Sequence, residues 1–149
     1  MRTYKFFFSL AFLSTFFVLL SCSSTKNVQK NAAQILKDPN TFRLTEISTD
    51  DTYGYTPENA VEVGGSRQSE GPLNERRFLN ALTGPNGERV SYYRAGSCCP
   101  VKSENGLMGT AILDNYRVTW ENSKDTVSIY INMYDSSYLK APKGFGIRE

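Results

Sequence analysis

Apolar positions change their spacing several times along this chain, and each spacing predicts a different element. From Phe6 to Leu20 the run is nearly continuous, broken only by Ser9, Ser14 and Thr15. It falls short of the roughly 20 residues that a membrane-spanning helix needs. Val28, Ala32, Ile35 and Leu36 then recur at helical spacing until Pro39, which predicts one short N-terminal helix. Phe42, Leu44 and Ile47 alternate incompletely with polar neighbours and predict a strand, as do Ala60, Val61 and Val63 before Gly64 and Gly65. Arg77 to Leu82 reads as a strand joined to Arg89–Arg94 by a Gly84-Pro85-Asn86-Gly87 turn, with a helix from Asn74 to Leu82 as the competing reading. Ser97 to Gly109 reads as an irregular loop. The clearest pattern is a hairpin of Ala111–Trp120 and Thr126–Tyr134, whose β-branched and aromatic residues alternate so that Val127, Ile129, Ile131 and Met133 share a face. Leu139 to Glu149 reads as extended or irregular. These elements predict an α+β, mostly β domain: an antiparallel sheet of about five strands with one short N-terminal helix.

The N-terminal run acquires a meaning from its flanks. Arg2 and Lys5 precede it and Ser21-Cys22 follows, the order of a secretory signal peptide. Leu19-Leu20-Ser21-Cys22 resembles the bacterial lipobox, in which the cysteine thiol is alkylated by diacylglycerol and the chain is cut just before it. The expected organisation is a lipoprotein signal peptide at 1–21, a lipidated Cys22 with a polar tether and short helix at 22–39, and a single globular domain at 40–149. Two or three acyl chains exceed what marginal, single-chain membrane binding needs. No acidic cluster follows Cys22, which favours a lipid-anchored protein of the cell envelope on the outer membrane facing the periplasm.

Loss of Arg2 and Lys5 with the signal peptide brings the 17 Lys and Arg to the same 15 as Asp and Glu, so the apparent basicity disappears. A neutral envelope protein has no electrostatic footprint for nucleic acid. Cys98 and Cys99 remain, adjacent and in an oxidising compartment. They are either a vicinal disulfide or two structural thiols, with metal binding, redox catalysis and an intermolecular bridge behind these.

The chain contains no histidine, which removes the commonest general base and metal ligand. Serine–histidine and cysteine–histidine nucleophiles are excluded with it. Gly64-Gly65 and Gly84-Pro85-Asn86-Gly87 lack the spacing of phosphate loops and read as turns, so no cofactor, metal or catalytic residue is assigned. Tyrosines dominate what is left, since the signal peptide takes most phenylalanines and leaves Phe42, Phe78 and Phe145. Tyr53, Tyr55, Tyr92, Tyr93, Tyr130 and Tyr134 are candidates to line a binding face with Arg76, Arg77 or Arg94. Ordinary packing is the competing role for these tyrosines, and a surface ion-pair cluster for Arg76 and Arg77.

Several stretches, among them Tyr53-Gly-Tyr-Thr-Pro-Glu-Asn59, Gly71-Pro-Leu-Asn-Glu-Arg-Arg-Phe78, Gly96-Ser-Cys-Cys-Pro100, Tyr130-Ile-Asn-Met-Tyr-Asp135 and Ala141-Pro-Lys-Gly-Phe145, resemble a family of small, uncharacterised bacterial envelope lipoproteins. Some members of that family carry the name 2-dehydro-3-deoxyphosphooctonate aldolase. The aldolase of that name is a (β/α)₈ barrel, which needs about 200 residues or more. The resemblance implies one domain in which the tyrosine loop, the Cys98–Cys99 loop and the Pro142–Phe145 tail act together. A noncatalytic binding or structural module, contacting an envelope protein or glycan, is the expected function; a small thiol redox enzyme using Cys98 and Cys99, or a carbohydrate-active one using carboxylates, is the alternative.

Overall fold

The computed structural model describes residues 34–124 and 126–149. The expected signal peptide, Cys22, the expected tether and the first part of the expected helix lie outside the described residues. Its last part is not helical: β1, Leu36–Asp38, pairs antiparallel with β2, Thr41–Phe42. Asp38 Oδ1 accepts the Asn40 amide at 2.8 Å and turns the chain at Pro39, and Ile35 and Leu36 stay exposed. Helical spacing without a partner surface does not make a helix.

Among the described residues the structure is mostly β with one α-helix. Its central sheet has four strands in the order β3 (Val61–Glu62), β7 (Val127–Asn132), β6 (Thr110–Trp120) and β5 (Val90–Leu107). β6 runs antiparallel to β5 and to β7, while β3 joins β7 in parallel, so the sheet is mixed rather than a five-stranded antiparallel one. The β6–β7 hairpin forms where the alternation predicts it. Ile129 and Ile131 are fully buried, with Val127 and Met133 packed against the same core.

Gly71–Asn80 is a helix, α1, which corrects the strand expected at Arg77–Leu82 in favour of the competing reading. Its buried positions Gly71, Asn74, Glu75, Phe78 and Leu79 follow helical periodicity. Polar residues occupy part of that stripe, so an apolar count sees only its C-terminal end. The predicted Gly84–Gly87 turn does form, with the Gly87 amide donating to the Gly84 carbonyl at 3.0 Å. It joins only the two-residue β4, Leu82–Thr83, to Arg89 through a single bridge. Residues after Arg89 pair with β6 instead.

α1 lays Phe78 and Leu79 on one face of the sheet, in one core with Val61, Val118, Ile129 and Ile131 and with Leu82 of β4. The C-terminal tail completes this core. Ala141 bridges Ile47 in parallel, the Phe145 ring meets Trp120 edge-on at 5.3 Å, and β8, Gly146–Ile147, pairs with β4.

The segment expected as a loop, Ser97–Gly109, largely continues β5, with register shifts at Arg94/Gly96, Cys98/Pro100 and Lys102/Leu107. Each such shift bends and twists a strand. β5 therefore curls across the sheet face away from α1 and packs against the 3-10 turn Pro57–Asn59. The curl explains why Ala111 and Leu113, which share ladder rows with Val101 and Cys98, are fully buried outside the main core. The hairpin tip carries Leu107 and Met108 out into solvent.

Candidate functional site

Curling of β5 leaves a cleft of about 1140 Å³ between it and the loops on the opposite side. Cys99, Pro100, Val101 and Lys102 form one wall; Tyr53, Pro57, Glu58 and Asn59, then Tyr138 and Lys140, form the other, with Glu62 and Asn132 at the sheet. A second cavity of about 710 Å³ shares Glu62 and Lys102 with it and continues along Ser103–Asn105, Tyr134 and Asp135. The two form one polar groove with an aromatic end.

A chain of hydrogen bonds fixes the far wall. Tyr138 Oη donates to Glu46 Oε1 at 3.1 Å and takes the Thr45 hydroxyl at 2.7 Å, while Lys140 Nζ holds Glu46 Oε2 at 2.7 Å. The Lys140 and Tyr138 bonds lower the Glu46 pKa, so Glu46 serves as the fixed anion of this wall. Lys140 also lies over the Tyr138 ring, 5.7 Å from its centroid. Beside them the Tyr53 hydroxyl accepts the Lys140 amide at 3.3 Å, and burial pushes its pKa up to about 12. Tyr53 is therefore a neutral phenol, which suits packing and hydrogen bonding rather than proton transfer.

The second cavity is braced by Asp135. Its Oδ1 accepts from Ser103 Oγ at 2.9 Å and Asn105 Nδ2 at 2.8 Å, and its Oδ2 from Asn132 Nδ2 at 2.8 Å. These bonds tie the outer end of β5 to the end of β7.

Cys98 and Cys99 form a disulfide between adjacent residues, joined by a trans peptide. Cys98 pairs with Leu113 and Pro100 with Ile112, so Cys99 is the extra residue of the bulge. Its φ is +55°, in the left-handed region that non-glycine residues rarely enter.

Of the tyrosines and arginines expected to share a face, the structure brings only Tyr53 and, in the adjoining cavity, Tyr134 to the groove. Tyr92 and Tyr93 alternate across β5. Tyr92 turns toward α1 and donates to Asn80 Oδ1 at 2.8 Å, and Tyr93 projects into solvent from the other face. Tyr130 shares a ladder row with Asn115 on that face, away from α1. Tyr55 donates to the Lys143 carbonyl at 2.5 Å and pins the tail. Arg76 is exposed on α1. Arg77 is buried, bonded to the Pro39 carbonyl at 2.9 Å, Asn74 Oδ1 at 2.8 Å and Glu70 at 3.2 Å. Arg94 forks onto Asp114, 2.5 Å from Nε to Oδ2 and 2.7 Å from Nη2 to Oδ1. Both arginines serve the fold.

That Arg94 fork belongs to a buried polar network that the sequence does not announce. Glu75, on the core face of α1, has no exposed surface and accepts Tyr116 Oη on Oε2 at 2.9 Å, while its Oε1 has no donor. Burial first, and the neighbouring Asp114 second, raise its pKa to about 7. Oε1 is thus a buried carboxyl oxygen without a donor in a group whose pKa is raised. No cleft reaches this pair among the cavities described above. Tyr138, Glu46, Glu62 and Lys140 are groove residues that sequence reading missed; they come from three separate stretches of the chain and carry no local motif.

Among the described residues, no helix is long and apolar enough to cross a membrane, and no three Cys, Asp or Glu side chains gather to hold a metal. No family model, no curated protein and no solved structure matches the chain.

Proposed function

We propose that this chain is a lipid-anchored envelope lipoprotein that binds a glycan, without transforming it, in the groove between β5 and the Tyr53–Tyr138 wall. The observation that carries this reading is the make-up of the groove. Tyr53 and Tyr138 supply aromatic surface for the C–H faces of a sugar ring. Glu58, Glu62 and Asn59 supply the planar carboxylate and carboxamide groups that bind hydroxyls, and Lys102 and Lys140 offset the acidic charge.

The anchor rests on the charged n-region, the apolar run and Leu19-Leu20-Ser21-Cys22. Its placement on the outer membrane facing the periplasm rests on the polar spacer Ser23–Asn27, which carries no acidic cluster. The lack of histidine and the buried phenol of Tyr53 favour binding over proton transfer.

Titration of the folded domain with chitooligosaccharides and soluble peptidoglycan fragments, followed by amide NMR, tests the reading. The expected shifts map to Tyr53, Asn59, Glu62 and Tyr138, and Tyr138→Ala weakens binding at least about tenfold with the fold retained. Shifts confined to the Tyr93 face, or none with any saccharide, overturn it. Intact mass of protein from its native membrane checks the anchor, which requires acyl mass on Cys22.

A further inference from the structure

We propose that the Cys98–Cys99 bridge is a thiol–disulfide exchange site, opened from the groove by attack at Cys99, with small thiols and dithiols as its reactants. This inference rests on the geometry of the β5 wall alone, and it holds whether or not a glycan is the ligand.

A structural role does not account for the bridge. Disulfides stabilise chiefly by closing loops in the unfolded chain, and more so for long loops. A bridge between neighbours closes no loop beyond its own ring and staples no distant segment to the domain. Its effect is local, on the backbone of the bulge. There Cys99 is the residue without a ladder partner and holds a φ of +55°, a conformation costly for a residue with a Cβ. Opening the bridge lets Cys99 return to the extended region, with a change in the path of β5 at Pro100–Lys102, which is the groove wall.

Both cysteines are half-buried, and of the two it is Cys99 that lines the groove.

In the first step a thiolate attacks Cys99 Sγ. A bond forms between the two sulfurs, the Cys98–Cys99 bond breaks, and its electron pair leaves on Cys98 Sγ, which takes a proton from water. With a dithiol, the second thiolate attacks the reductant's own sulfur in this mixed disulfide. Cys99 leaves as a thiolate and is protonated, so the pair gains two electrons and two protons while the dithiol becomes a cyclic disulfide.

The test uses the folded oxidised protein with N-acetylcysteine, acid quenching and peptide mapping, then dithiothreitol with amide NMR. The expected adduct sits on Cys99. The fully reduced protein shifts at Cys98–Ser103, Tyr53 and Tyr138 while Gly71–Asn80 stays in place, and reoxidation restores the original spectrum. In the single variants the lone thiol of Cys98→Ser reacts with an aromatic disulfide reagent at least about tenfold faster than that of Cys99→Ser. An adduct on Cys98, reaction only in urea, or reduction that leaves the groove signals unmoved overturns the proposal.

Discussion

Glu75→Gln is the substitution that most directly tests the physics of the buried network. Glu75 has no exposed surface, faces Asp114, and is raised by burial from an ordinary 4.5 to about 7. An acid whose folded pKa lies above its unfolded value binds protons more tightly in the native state. Its contribution is complete below about pH 4.5, where both states are protonated, and falls as the unfolded chain ionises first. Above about pH 7, where the folded carboxyl ionises too, the loss is complete and stability levels off. At about 1.36 kcal/mol per pH decade the full interval corresponds to about 3 kcal/mol. Repacking and water entry reduce this, which makes 1–3 kcal/mol the order of magnitude to measure.

Glutamine has the shape of the protonated acid. Its carbonyl accepts Tyr116 Oη, its amide supplies a donor at the oxygen that lacks one, and it does not ionise. Urea unfolding between pH 4 and pH 8 reads the outcome. The wild type loses stability from pH 4.5 to 7; the variant lacks that component, matches wild type near pH 4.5, and exceeds it at pH 8 by about 1–3 kcal/mol. An unchanged pH slope, or a variant weaker than wild type at pH 8, refutes the assignment of the proton to Glu75.

Arg94→Met probes the same network from the other side. It removes both bonds to an Asp114 side chain only 4% exposed, and because the Arg94 side chain is itself 46% exposed the expected loss is about 2–3 kcal/mol, less than for a fully buried pair, measured by urea unfolding at pH 7. Gly65→Ala tests the contact between α1 and the end of β3. Gly65 has a φ of +96° and an added Cβ lies 2.4 Å from Asn74 Nδ2, so the variant is expected to melt at least about 5 °C lower, and an unchanged melting temperature by calorimetry refutes the tight approach.

Much of the core was legible from local pattern because alternation and burial coincide in it. In β7, Ile129 and Ile131 are apolar, two apart and buried, so the spacing alone places the hairpin and its inner face. The same holds for Val61 and Val63. Local pattern failed where a buried stripe carries polar residues. α1 turns Asn74, Glu75 and Arg77 inward, and their partners, the Val63 and Gly64 carbonyls, Tyr116 and the Pro39 carbonyl, come from elsewhere in the chain. Nothing near position 75 announces that its neutralising environment stands on β6.

The expected N-terminal address, and the neutral charge that cleavage before Cys22 would leave, are read from the sequence by itself, since they depend on residue order and composition and need no partner. The groove is a product of tertiary structure. Cys99, Tyr53, Glu62 and Tyr138 meet because three register shifts curl β5 over the sheet toward Pro57–Asn59, and because the tail returns Tyr138 and Lys140 to Glu46. Where a strand bends, and which distant loop it then touches, depends on the partner strand and on long-range contacts. That is why spacing placed the tyrosines on strands and loops, while only the folded chain decided which of them share a surface.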